Sequence, residues 1–229
     1  MSASPALHAA PITLSGGHFS VTYDDTLLGV YGVPSLLGGD TIVFNPTNFK
    51  AVASTGSFTQ TASFSLSLAA HSGYVLTDLL LQESGDYYRI GGGMVNVGAT
   101  LAAVNPANSN TASLVLAPSA PLNAVTSLSN FQTTNWALSG NLSLLSLGAP
   151  TSLSVDLGNT LSASATGGIG FIEKKFVGLR ISTQQGVPPA AVPEPGSLAL
   201  LMAGLLAAWG LKLSGGRLST AAYKRRLSQ

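Results

Sequence analysis

Phe58-Thr59-Gln60-Thr61-Ala62-Ser63-Phe64-Ser65-Leu66-Ser67-Leu68 is the stretch that sets the fold class. Phe58, Ala62, Phe64, Leu66 and Leu68 alternate with Thr59, Thr61, Ser63, Ser65 and Ser67, and Gln60 is the one break in the apolar row. Successive side chains of a strand point to opposite faces, so this period of two describes a strand with one buried face and one hydroxyl-covered wet face. The same alternation predicts strands at residues 18–23, 40–45, 74–83, 94–103, 112–116, 135–147, 151–157, 160–165 and 169–181. Turn chemistry separates them at Ser15-Gly16-Gly17, Gly38-Gly39-Asp40, Ser84-Gly85-Asp86, Gly91-Gly92-Gly93, Asn105-Pro106 and Gly158-Asn159. Nine to eleven short strands at hairpin or Greek-key spacing predict a mainly β, antiparallel domain over residues 12–186, of β-sandwich or jelly-roll type. Phe64, Leu66, Leu79, Leu81, Val95, Val97, Leu142 and Leu144 are the expected inward residues. Lys174-Lys175 breaks the last alternating row and is expected to face solvent at an edge.

Composition agrees with strands and turns. The chain has 229 residues, room for one sizeable domain and an appendage. Charged residues make up 8% and hydrophobic residues 45%, with 26 Gly and 12 Pro. So few charges disfavour a helical bundle with wet Glu, Lys and Arg faces, and equally a disordered polyelectrolyte. The absence of cysteine removes disulfides, thiolate zinc sites and cysteine nucleophiles together. The net charge of +1 hides a split: residues 1–192 hold five Lys/Arg against eight Asp/Glu, and residues 193–229 hold five against one. With the net basic charge confined to the tail, nucleic acid is not an expected partner.

The tail differs in kind from the body. Residues 187–195, Val-Pro-Pro-Ala-Ala-Val-Pro-Glu-Pro, read as an extended linker. Residues 196–213 are apolar until Lys212, whose stem can snorkel, and eighteen residues of helix reach about 27 Å, close to the ~30 Å hydrocarbon core. Residues 214–229 carry Arg217, Lys224, Arg225 and Arg226 with no acid, which the positive-inside rule keeps in the cytoplasm. The expectation is a single transmembrane helix with a basic cytoplasmic tail, in contact with membrane lipid.

Val192-Pro193-Glu194-Pro195-Gly196-Ser197, followed by an apolar span and a basic end, resembles the C-terminal sorting signal of the PEP-CTERM proteins of Gram-negative bacteria. The resemblance implies that Pro193, Glu194 and Pro195 are the sorting motif. It also implies that an exosortase-type processing enzyme is a partner, and that the destination is the cell surface or the exopolysaccharide matrix, reached from an inner-membrane-anchored precursor. The segment after the span is longer and less densely basic than the family's usual few Arg. The runs at residues 39–49, 72–87 and 156–161 further resemble a group of PEP-CTERM ectodomains of β-sandwich type, which implies fold and address only. Residues 1–11 lack the basic and apolar parts of a secretory signal, yet Ser4-Pro5-Ala6-Leu7-His8-Ala9-Ala10 resembles a stretch before a signal-peptidase cut. The expectation is an export-signal remnant or a disordered N-terminus, with the rest of the signal upstream of Met1.

Chemistry-bearing spacing is sparse in the body. His8, His18 and His71 lack zincin spacing, and no P-loop, dinucleotide fingerprint or Gly-x-Ser-x-Gly elbow is present. Glu83 and Asp86 flank Ser84-Gly85, and Asp24-Asp25 is a second close pair. Such carboxylates either cap turns or join loop carbonyls around a hard cation such as calcium. Turn chemistry is the favoured reading, leaving no expected cofactor, with calcium at Glu83 and Asp86 as the alternative. Tyr74, Tyr87, Tyr88 and Trp136 either pack in the core or form a sugar-stacking platform. The expected function is therefore a non-catalytic, exported surface or matrix protein associated with exopolysaccharide or envelope proteins. The alternatives are a secreted polysaccharide hydrolase, with two carboxylates in a cleft, and a calcium-dependent carbohydrate-binding module.

Overall fold

The computed structural model describes residues 11–127, 129 and 131–186. They form ten antiparallel strands joined in one sheet, with three single-turn 3-10 helices at Asp25–Leu27, Gly29–Tyr31 and Leu145–Leu147. The strands are β1 Ile12–Ser15, β2 Phe19–Tyr23, β3 Ser35–Leu37, β4 Thr41–Phe44, β5 Lys50–Ala53, β6 Gly56–Ala70, β7 Tyr74–Val104, β8 Thr111–Leu116, β9 Thr134–Ser143 and β10 Ser152–Gln185. Mainly β and antiparallel is thus the observed class, and the compact unit ends at Gly186. The Pro-rich linker, the apolar span 196–213 and the basic tail lie outside the described residues, as do residues 1–10. Among the described residues no helix is long and apolar enough to cross a membrane.

Two very long strands organise the sheet. β10 pairs along its length with β7 on one side and with β6, β5 and β4 in turn on the other. β7 carries β9 on its first half and β8 on its last. Residues 74–83 and 94–103, expected as separate strands, are one strand, and so are 151–157, 160–165 and 169–181. Ser84-Gly85-Asp86, Gly91-Gly92-Gly93 and Gly158-Asn159 are accordingly not chain reversals but lie inside β7 and β10. Ser15-Gly16-Gly17, Gly38-Gly39-Asp40 and Asn105-Pro106 do reverse the chain, between β1 and β2, β3 and β4, and β7 and β8.

The internal glycines crease the ladder instead. Gly91 and Gly167 take left-handed backbone angles, φ 54° and 75°, and the register slips between Ala165 and Gly168. A Cβ on Gly93 would lie 2.0 Å from the Ile169 carbonyl oxygen, and one on Gly168 would lie 2.0 Å from that of Ile90. Only glycine lets the two backbones approach this closely. The crease turns the halves of the sheet toward one another. Asn159 and Lys174, fifteen residues apart in β10, touch through their side chains, whereas a flat strand would hold them about 50 Å apart.

One apolar core fills the space between the halves. Phe64, Leu66 and Leu68 of β6, Leu79, Leu81, Val97 and Leu101 of β7, Leu142 of β9, and Leu157, Val177 and Leu179 of β10 belong to it. Of the inward residues expected from alternation, all are buried except Val95, which packs partly exposed against the cluster. At about 25 cal/mol per Å² of apolar surface, burial on this scale supplies the main stabilising term.

Candidate functional site

The most chemically unusual place is polar and lies in that core. Glu83, in phase with Leu79 and Leu81 on β7, points inward at 1% exposure; Asn159, in phase with Leu157 and Leu161 on β10, does so at 3%; Lys174 is fully buried. Lys174 was expected to face solvent with Lys175. A bulge between Lys174 and Phe176 shifts the inward phase of β10 from Gly170, Ile172 and Lys174 to Val177, Leu179 and Ile181. The bulge leaves only Lys175 outside, where its ammonium meets Asp86 Oδ2 at 2.5 Å.

The three residues form one connected cluster. Lys174 Nζ donates to Glu83 Oε2 and to Asn159 Oδ1. Asn159 Nδ2 donates to the Tyr31 hydroxyl at 2.9 Å, and that hydroxyl donates to the Ala62 carbonyl at 3.3 Å. The rings of Phe49 and Trp136 stand 5.4 and 5.6 Å from Nζ, and Trp136 is held by its Nε1–H donating to the Glu173 carbonyl at 3.1 Å. Phe44, Phe49 and Phe64 pack around the Tyr31 ring. Glu83 Oε1 is buried and has no hydrogen-bond partner among the described residues.

Two charges in such a place cost several kcal/mol each before their attraction offsets anything. Burial pushes the Glu83 carboxyl above its ordinary range against the pull of Lys174, and pushes the Lys174 amine below its own against the pull of Glu83. Both shifts ease the transfer of one proton from Lys174 to Glu83. Tyr31 is held neutral by burial.

The remaining candidates are placed differently. Glu83 and Asp86, three apart on one strand, point to opposite faces, and each meets its own lysine. Among the described residues no group of three or more His, Asp or Glu is gathered closely enough to hold a metal ion. Asp24 caps a 3-10 turn by accepting from the Thr26 amide at 2.9 Å. His18 stacks on Tyr74 with ring centroids 4.0 Å apart, and His71 meets the Ser20 hydroxyl at 3.1 Å. Tyr87 and Trp136 are core residues, and Tyr88 stacks on Phe171 at 4.9 Å, so the four aromatics are not assembled into one platform. Pro193, Glu194, Pro195, Arg217, Lys224, Arg225 and Arg226 lie outside the described residues. Sequence reasoning missed Lys174, Asn159 and Tyr31. The signal for Asn159 and Glu83 was a polar residue in phase with an apolar row.

No curated protein matches the chain. Among solved structures it is similar to the VP2 subviral particle of infectious bursal disease virus, at 12% identity over 85% of this chain and 60% of that one. The TM-score of 0.18 is too low for a shared architecture, and the chain spans only about 60% of the viral protein. Residues 191–213, from the Pro-Glu-Pro motif through the apolar run, match the PEP-CTERM protein-sorting motif, and the chain carries that signal.

Proposed function

We propose that this is an exported, non-catalytic protein of the cell surface or extracellular matrix, released from an inner-membrane-anchored precursor by an exosortase-type enzyme. The observation that carries the reading is the sorting motif at residues 191–213. Pro on both sides of Glu194 prevents helix formation and removes two amide donors, so Pro193-Glu194-Pro195 presents an extended segment to a membrane-embedded enzyme. Residues 196–213 deliver it to the outer boundary of the inner membrane as a helix, and Arg217, Lys224, Arg225 and Arg226 fix the orientation. The β domain, a sandwich of two facing layers, then associates with exopolysaccharide or envelope proteins. An uncharged depression of about 490 Å³, bordered by Thr61, Ser63, Thr100 and Thr160, supports a neutral glycan as partner.

The test is mass spectrometry of the protein made in a host that has an exosortase. A surface or secreted form lacking residues 198–212, with Glu194→Ala retained uncut in the membrane, is the expected result. An exported form still containing that peptide rejects processing. Turnover of a polysaccharide by the purified β domain, abolished by a single carboxylate substitution, rejects the non-catalytic reading.

A further inference from the structure

The geometry points to an intramolecular isopeptide bond between Lys174 Nζ and Asn159 Cγ, formed by the protein itself with Glu83 as its catalytic acid and base. The inference rests on the core alone and is independent of how the chain is sorted. Three conditions for amide exchange meet at one point. The nucleophile is in contact with its target, since Nζ touches the Asn159 carboxamide at Oδ1. A carboxyl group touches the same nitrogen through Glu83 Oε2, and its other oxygen, Oε1, is free to accept or deliver a proton. Water is excluded, because Lys174 and Glu83 have fully buried side chains and the rings of Phe49 and Trp136 flank Nζ.

The step balances without an oxidant, metal or energy source. Proton transfer from Lys174 to Glu83, which burial eases from both sides, leaves the amine lone pair free to attack Cγ of Asn159. Glu83 donates its proton toward the developing oxyanion on Oδ1. Glu83 then takes a proton from Nζ and passes it to Nδ2, whose bond to Cγ breaks. One C–N bond forms, one breaks, and ammonia leaves. The proton on Oδ1 returns to Glu83 as the Cγ carbonyl re-forms, so Glu83 ends as the neutral carboxylic acid it became on taking the proton from Lys174. The Tyr31 hydroxyl, accepting from Nδ2 at 2.9 Å, holds the carboxamide in place; it is a positioning residue.

The product suits this chain. The bond ties the two halves of β10 across the core, on either side of the crease, and the protein has no cysteine with which to make such a tie otherwise. The two charges that the core would have to bury are replaced by one neutral amide.

The test uses the full chain, shown to be folded by its strand circular dichroism, then denatured and cut with chymotrypsin. Leu157, Leu161, Phe171 and Phe176 bracket the two sites. The expected result is a joined peptide containing Asn159 and Lys174, about 17 Da lighter than the sum of its parts, which is one ammonia. Glu83→Gln keeps the side chain's shape and should yield a folded chain whose two peptides stay separate. Tyr31→Phe should still cross-link, more slowly after refolding. Separate linear peptides from folded wild-type protein overturn the proposal and leave an ion pair. A joined peptide from Glu83→Gln overturns the role of Glu83.

Discussion

The two halves of β10 obey different rules although they are one strand. Up to Ala165 the register runs without a break, from Ser152 with β6 and from Ser154 with β7, and Leu153, Val155, Leu157, Asn159, Leu161, Ala163 and Ala165 all face inward. From Gly168 to Gln185 the register slips again after Lys174 and after Ser182, and the inward phase changes within a dozen residues. The regular half can be read from alternation alone. The irregular half places a lysine in the core that alternation assigns to water, so an odd residue in a row reports a bulge as readily as an edge.

The largest test of this contrast is within the Lys174-Lys175 pair. Lys174→Ala leaves Glu83 and Asn159 buried without their partner and should cost about 3–5 kcal/mol in urea unfolding. Lys175→Ala removes a half-exposed, solvent-screened pair and should cost about 1 kcal/mol or less. Equal losses would mean that the bulge does not separate the two lysines.

A second test strikes the crease. Gly168→Val sets a side chain against the Ile90 carbonyl and the Gly92 and Gly93 amides, all backbone that cannot move aside. A loss of about 3 kcal/mol or more is expected, measured by the shift of the urea midpoint. An unchanged midpoint would show that the ladder bends elsewhere.

Tyr31 gives a pH test. Burial, the leading cause, raises its pKa above the ordinary 10.0, with Glu83 adding to the rise and the Asn159 hydrogen bond opposing it. A raised folded value means that the stabilisation is fully present below about pH 10 and is lost as pH climbs toward the folded value, because the unfolded tyrosine ionises first. Tyr31→Phe should flatten that alkaline limb of stability against pH. A limb of unchanged steepness would assign it to other groups.

The smallest effect belongs to the regular region. A Cβ on Gly98 of β7 would have only the Leu116 carbonyl oxygen near it, at 3.9 Å. Gly98→Thr should therefore be neutral or stabilising by about 0.5–1 kcal/mol in the same unfolding assay, in contrast to Gly168.

Much of the fold was legible because period-two alternation is local. Phe64, Leu66, Leu79 and Leu81 declare an inward face to any reader of the sequence, and Gly38-Gly39-Asp40 declares a reversal. Gly91-Gly92-Gly93 and Gly158-Asn159 look the same in sequence and do not reverse the chain. A glycine states that the backbone needs freedom there without stating whether it will turn or crease. The candidate site was legible only in part: Glu83 stood out as a carboxylate, whereas nothing near Lys174 in sequence announces Glu83, which lies 91 residues away.

By itself the sequence determined an antiparallel β body, most of its inward residues and the sorting motif at residues 191–213, since each rests on contiguous residues and their spacing. Only the tertiary structure decided that one sheet creases over its own core and that Lys174, Asn159 and Glu83 meet there. Contact between residues far apart in the chain depends on where register slips and backbones approach, and that is settled by packing of the whole sheet rather than by any local pattern.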